Sequence, residues 1–302
     1  LILSSFEGPN DTLLFTKQIS VNLNIIDIIS KKYNIESIIF ESGIINIKYD
    51  SNGIGNFNIL KDSAREKIDF TIDMIKIENS DFQYTNPITE ISMKHKISSL
   101  NLSLVIHNNK TTIIAEGDLF SDELYQRGDN YLDDKQLHIQ CNIVSENDTI
   151  KVRNSEFLIE NINFLVSNIN YSNNEYKATI FCEKQDLSLI TKNIPARFKS
   201  LISNLQLSGD ISFNTEIIKT SEKINPSIIL DYTIHNGGFK HLTTPFTLYN
   251  LSCEGNVTNG ENNNFEESII TFKNLKSEKN GGVFNADFIV SNFNDYKLKA
   301  KL

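Results

Sequence analysis

The feature that most limits how this chain can fold is a strand-period alternation of apolar and polar residues, repeated with few helices to cover the apolar side. In "LNLSLVI" (100–106), Leu100, Leu102, Leu104 and Ile106 share one face. In "LHIQCNI" (137–143), Leu137, Ile139, Cys141 and Ile143 oppose His138, Gln140 and Asn142. "IILDYTI" (228–234) aligns Ile228, Leu230, Tyr232 and Ile234, and "LSGDISF" aligns Leu207, Ile211 and Phe213. Asn52-Gly53, Asn108-Asn109, Asn173-Asn174, Gly237-Gly238 and Gly281-Gly282 read as turns between such runs. At the usual strand length this rhythm predicts about 14 to 18 strands in antiparallel hairpins. The fold class is all-β, with two short helical segments.

Those segments are "LNIIDIISKKYN" (23–34) and "DLSLITKNIPARFKSLISNL" (186–205). The first places Ile25, Ile28 and Ile29 at helical spacing. In the second, Asp186 is a candidate cap, Pro195 stands at a second helix start, and Phe198, Leu201 and Ile202 follow at i, i+3, i+4. The second passage is expected to pack its apolar residues against one end of the sheet. It also marks a division into 1–183 and 184–302, although one continuous elongated domain is an alternative. "NGENNNFEES" (259–268) reads as an exposed hairpin loop.

Charge and motifs exclude several functions. The net charge is −9, with 29 basic residues scattered among 38 acidic ones, so neither a nucleic-acid surface nor a polybasic membrane patch is expected. Cys141, Cys182 and Cys253 stand far apart, without C-x-x-C, and read as small apolar fillers. His95, His107, His138, His235 and His241 lack a metal-type partner at i+4 and read as solvated or hydrogen-bonded side chains. There is no G-x-S-x-G, H-E-x-x-H or phosphate loop. Asp133-Asp134, Glu266-Glu267 and "DNYLDD" (129–134) lack the spacing of a catalytic pair or a calcium loop. No catalytic residue, metal or cofactor is expected. The abundant Ile, Asn and Lys are read as the bias of an AT-rich genome. The start at Leu1, without Met, reads as a fragment lacking its natural N-terminus.

Half-apolar strands with few helices can close as a sandwich, wind as a solenoid, or curl as one sheet into a trough. The stretch "SGIINIKYDSNGIGNFNIL" (42–60) bears on the choice. Its Gly53-Ile54-Gly55-Asn56-Phe57-Asn58-Ile59-Leu60, preceded by Asp50, resembles the G-x-x-N-F/W-x-x-L pattern of the AsmA-like family of Gram-negative envelope proteins, which includes TamB. "IDMIKIENSDFQYTNP", the 186–205 passage running into "QLSGDISFNTEI", "PSIILDYTIHNGGF" and "FNADFIVSNFNDYKLKAKL" are similar to later parts of that family in the same order.

The resemblance implies a bridge-like lipid-transfer architecture: a long antiparallel sheet curled into an apolar-lined groove through which lipid tails pass. About fifteen strands at ~4.8 Å spacing would make a trough of roughly 70 Å. Ile45, Ile47 and Tyr49 would face the groove, Asn46 and Lys48 would face water, and Asn52-Gly53 would turn a hairpin. Ile45, Ile47, Leu102, Leu104, Ile139, Ile143, Ile211 and Tyr232 are the candidate groove lining. Gly53, Asn56, Phe57 and Leu60 carry the motif as fold signatures, with Asn56 bonding exposed backbone at the turn and Phe57 packing under the rim. The partner implied is phospholipid or another acyl-chain lipid, with envelope membrane proteins as further candidates. The setting implied is the periplasm, with a membrane anchor N-terminal to this fragment, in support of outer-membrane biogenesis. The alternative is a structural scaffold for outer-membrane assembly whose apolar faces close into a dry core.

Overall fold

In the computed structural model the alternating runs become long strands, each hydrogen-bonded to its neighbour in sequence. The structure describes residues 2–4, 12–30, 33–57, 69–173, 175–279, 281–293, 295 and 297–301. By its internal contacts the chain divides into two units, Leu1–Asn147 with Phe157–Glu160 and Asp148–Glu156 with Asn161–Leu302. This division falls well before the helical passage at which the sequence reading placed it.

The first unit contains β1 (Ile2–Ser4), β2 (Thr12–Leu23), α1 (Ile25–Ile29), β3 (Tyr33–Lys48), β4 (Phe70–Asn86), β5 (Ile91–His107), β6 (Lys110–Gln126), β7 (Asp129–Asn130) and β8 (Lys135–Glu146). Its sheet runs β1-β2-β3-β4-β5-β6-β8, with β7 a short addition to β6. All these pairs are antiparallel except β3–β4, which is parallel. The expectation of hairpins throughout therefore fails at this one place. The chain must cross over between residues 49 and 69 to re-enter the sheet in the same direction.

The second unit contains β10 (Ile162–Ser172), β11 (Glu175–Asp186), α2 (Leu187–Asn193), α3 (Ala196–Ile202), β12 (Leu205–Lys219), β13 (Ser227–His241), β14 (Thr247–Thr258), β15 (Ile269–Lys279), β16 (Gly282–Ser291) and β17 (Lys297–Lys301). Antiparallel pairs connect β10 through β17 in sequence order. The remaining strand, β9 (Thr149–Ile159), is divided between the units and also pairs with β10. The helical passage forms as expected. Asp186 caps α2 by accepting a 2.7 Å hydrogen bond from Ser188 N, and Pro195 precedes α3. Leu187 is buried, and Leu189, Ile190, Phe198 and Ile202 are half-buried. The side chain of Leu201 lies outside the described residues.

Among the described residues each unit has a single sheet layer, so its apolar face is covered by bending of the sheet together with the short helices. Five side chains in the first unit (Ile77, Ile97, Leu100, Ala115 and Cys141) and five in the second (Tyr232, Leu248, Leu251, Cys253 and Leu275) are buried this way. β-Bulges supply the bend. An extra residue on one strand kinks it and tightens its twist. Residues with positive φ stand inside the strands at Ser42, Asn79, Asn154, Asn236, Asn250 and Asn274, and the ladders change register beside Asn236, Asn250 and Asn274. Most non-glycine residues with positive φ among the described residues are asparagines, which tolerate that conformation better than other L-residues. Asn108 and Asn109, both at positive φ, also make the two-residue turn between β5 and β6. The asparagine excess is therefore conformational, not merely compositional. Gly237-Gly238, read as a turn, instead lie inside β13 at such a shift.

A residue at positive φ turns backbone groups out of the ladder, and buried hydroxyls take them up. Ser80 Oγ donates to Glu78 O across Asn79 (2.8 Å) and accepts from Gly43 N on β3 (3.1 Å). Thr16 Oγ1 reaches Glu41 O at 2.9 Å, and Ser155 Oγ spans Asn154 to Arg153 O at 3.2 Å. Ser277 Oγ donates to Tyr249 O beside Asn250 (2.8 Å). These four side chains are at most 4% exposed, so water cannot replace their bonds. Ser80→Ala removes the partner of a buried N–H and is expected to cost about 1–3 kcal/mol in urea unfolding. Alanine at the exposed Ser98 is expected to change stability by less than about 0.5 kcal/mol.

Candidate functional site: the apolar faces and the 50–57 turn

Cross-strand register shows which candidate residues share a surface. In the first unit, Ile72, Leu104, Ile113 and Ile143 form one row across β4, β5, β6 and β8. Ile75, Leu102, Ala115 and Cys141 form the next, and Ile77, Leu100, Gly117 and Ile139 the one beyond. Ile45, Leu102, Ile139 and Ile143 all pack on the buried cluster of this unit. Ile47 lies two residues along β3 from Ile45, opposite Tyr84. In the second unit, Cys182, Phe213, Tyr232, Gly255 and Phe272 make one row, and Ile211, Ile234 and Cys253 a neighbouring one. The eight candidates thus divide into a stripe of six in the first unit and a pair, Ile211 and Tyr232, in the second.

Tyr232 is buried, and the other seven are half-buried. A Cβ on Gly255 would stand 2.4 Å from the Tyr232 hydroxyl, so glycine there makes room for the ring. The hydroxyl donates to Thr271 O at 2.8 Å, and burial pushes its pKa well above the usual phenol value. Burial also raises the Cys182 and Cys253 thiols to about 11, so they stay protonated and act as packing groups.

The loop at 259–268 is not the open hairpin loop expected. Asn263 and Ser268 are buried, and Phe265 bridges Phe198 of α3 and Phe293, at ring separations of 5.7 and 5.4 Å. Asn259 clamps it through Ile228 N and Pro226 O, both at 2.8 Å. The helical passage is thereby fastened to the far loops of its own unit through a chain of three aromatic rings.

The 50–57 turn works differently from the expectation. Asn52-Gly53 does reverse the chain, with Gly53 at φ +81 and a short antiparallel bridge between Tyr49 and Gly55. It does not lead into an antiparallel strand, because β4 enters parallel. The Asp50 carboxylate accepts from the N–H groups of Ile54 and Asn52, each at 2.8 Å, and these bonds hold its pKa below the ordinary value, Ile54 first. Asn56 N donates to Lys48 O (2.9 Å), while its side chain accepts from Lys48 N (2.9 Å) and donates to Asn46 O (2.8 Å). One asparagine thus imitates a neighbouring strand for the end of β3, so bonding to exposed backbone is its role. Phe57 lies edge-on to Tyr49 at 5.4 Å, over Gly55, where a Cβ would meet the ring at 2.2 Å. Asn46 and Lys48, expected to face water, are half-buried, and Asn46 Nδ2 bonds Thr12 O at 3.3 Å. Leu60 lies outside the described residues.

His107 pairs with Asp69 and His138 with Asp118, each at 2.8 Å, as expected of surface histidines. His95 departs from that expectation. It stands in the row of Ile45, Phe82 and Ser121 on the apolar face, its ring stacked on Phe82. Its Nδ1 is buried. Burial holds its pKa below the ordinary 6.5, against the opposing pulls of Asp122 and of a hydrogen bond to the Lys94 backbone. Sequence periodicity could have placed it on this face, since it lies two residues from Ile97, but residue type suggested a solvated group.

A shallow depression on the polar face of β12–β14 is lined by Ser212, Asp231, Thr233, Glu254, Asn256 and Lys273, among others. Two of its carboxylates are already engaged, Asp231 by Asn256 and Glu254 by Asn274. Among the described residues no cluster of His, Cys, Asp or Glu could hold a metal ion, and no helix is long and apolar enough to cross a membrane. No family model, curated protein or solved structure matches the chain.

Two outcomes follow for this region. Asn56→Ala unpairs Lys48 N and Asn46 O and should lower stability by about 1–3 kcal/mol. The unfolded chain protonates His95 near pH 6.5, the folded chain only at lower pH. Its neutral form is therefore tolerated above that value, and stability falls as pH drops below about 6.5 toward the folded pKa. His95→Phe should flatten the dependence of melting temperature on pH between 6.5 and 5.

Proposed function

We propose that this chain is a non-enzymatic, lipid-binding segment of a cell-envelope protein of AsmA-like architecture, facing the periplasm and carrying phospholipid or other acyl chains in support of outer-membrane biogenesis. The observation that supports it is the state of the apolar stripe. Ile45, Ile47, Leu102, Leu104, Ile139 and Ile143 line one face of a single-layer sheet, and every one is half-buried, not fully covered. A sandwich would cover such a face with a second sheet about 10 Å away. This unit has one layer.

An acyl chain is the ligand whose chemistry matches such half-buried apolar faces. A tail of about 16 carbons left in water costs roughly 12 kcal/mol at ~0.8 kcal/mol per methylene. A continuous apolar wall removes much of that barrier while the head group stays in solvent. The order of motifs shared with the AsmA-like family points the same way.

Native mass spectrometry of the purified chain tests this directly. Co-purifying phospholipid is the expected result, and a lipid-free chain would favour the scaffold with a dry core. Asp at Leu104 or Ile139 separates the two cases further. In an open groove the carboxylate can turn to water, so the melting temperature should hold within a few degrees while bound lipid falls. In a closed core the unpaired charge costs several kcal/mol and the unit should unfold.

A further inference from the structure

An isolated aliphatic side chain in solvent needs no explanation, whereas a group of them marks a contact surface. Such a group stands where β2 runs into α1. Val21 and Leu23 are each 47% exposed, and Ile26 and Ile29, neighbours on one face of α1, are 71% and 77% exposed. Leu23 is the β2 member of the apolar row that continues through Ile35, Ile72, Leu104, Ile113 and Ile143. Val21 opens the next row, through Ile38, Ile75 and Leu102. The candidate groove lining is thus joined, through Asn24 alone, to a helix that holds two isoleucines in solvent.

The polar groups of this helix are occupied. Asn24 Oδ1 accepts from Ile26 N at 2.9 Å, and Ser30 N closes the turn on Ile26 O at 3.0 Å. Asp27 accepts from Asn34 Nδ2 on β3 at 3.4 Å. α1 is thereby tied to the start of β3 with Ile26 and Ile29 left uncovered.

Two features decide what covers them. The four side chains are aliphatic, with no aromatic ring or arginine among them to anchor a protein interface. None is fully exposed, and four such side chains fall well short of the ~800 Å² per partner that a stable protein pair buries. A bilayer requires neither an anchor nor that area. Its hydrocarbon accepts aliphatic side chains of any shape, and an apolar helix face seats only ~5–10 Å deep, at the boundary of head groups and acyl chains.

We propose that Val21, Leu23, Ile26 and Ile29 form a membrane-docking edge, by which the first unit seats reversibly on the surface of a phospholipid bilayer. The inference rests on the acyl-chain reading for its purpose. A tail leaving the bilayer at α1 meets Leu23 and the row that runs to Ile143, so it need not cross water.

The 302-residue chain contains no tryptophan, so one introduced indole reports alone. Ile26→Trp and Ile224→Trp are compared on vesicles of phosphatidylethanolamine and phosphatidylglycerol. Ile224 is 80% exposed and belongs to the second unit, so it controls for exposure. Adding vesicles should shift the emission of Ile26→Trp to shorter wavelength and leave that of Ile224→Trp unchanged. In flotation, the double variant Ile26→Asp/Ile29→Asp should bind vesicles at least about tenfold more weakly than the wild type, and Ile224→Asp should match the wild type. Both substituted positions are exposed, so the melting temperature of the double variant should hold within a few degrees. No shift at position 26, equal shifts at both positions, or undiminished binding of the double variant would overturn the docking edge. So would dimerisation lost in the double variant of a chain that ignores vesicles, which would give the surface to a second copy. Phospholipid co-purifying with a chain that does not bind vesicles overturns this inference alone. Absence of both overturns the acyl-chain reading as well.

Discussion

A single-layer sheet with one apolar face has no partner to bury that face against, and this constraint organises the structure. The sheet must bend around its own apolar side, and the ladder must be broken to let it bend. Residues at positive φ provide the breaks at Ser42, Asn79, Asn154, Asn236, Asn250 and Asn274. Each break would strand backbone groups in a dry environment, where every unmet N–H or C=O is costly. The hydroxyls of Thr16, Ser80, Ser155 and Ser277 meet that need. Bending covers the middle of the face, where Ile97 is 3% exposed, and leaves the flanking rows of Leu102, Leu104 and Ile143 half-open.

The alternation was legible because its period is a direct geometric property of strands. Leu100, Leu102 and Leu104 fall on one face in the sequence and in the structure. The caps of the helical passage were legible too, since Asp186 and Pro195 act through local bonding. The parallel entry of β4 was not legible. It depends on a crossover, and Asn52-Gly53 signals a reversal of the chain without saying which strand follows. Nor were the positive-φ positions inside strands. Asn79-Ser80 and Asn154-Ser155 look like ordinary polar pairs, and only the backbone conformation and the hydroxyl bonds show that asparagine supplies the φ and serine the missing bond. His95 escaped notice for a related reason: its two roles, solvated or buried, differ in face and neighbours, not in residue type.

The motif at 50–57 and the groove serve different ends of one architecture. Asn56 finishes the open end of β3 with its side-chain amide, and Asp50 fixes the turn that brings it there. These residues hold the end of β3. The wall itself offers hydrocarbon contact over several adjoining strands. On the proposed reading an acyl chain uses this half-buried stripe, which a closed scaffold would cover.

The central claim, that this face is occupied by lipid in the cell envelope, is tested most directly by site-specific photo-crosslinking. Benzoylphenylalanine placed at Leu104 lies in the stripe, whereas at Glu116 it lies on the opposite, exposed face of the same sheet. Irradiation of cells should yield lipid adducts at Leu104 and none at Glu116. Absence of adducts at Leu104, or equal labelling at both positions, would contradict the account.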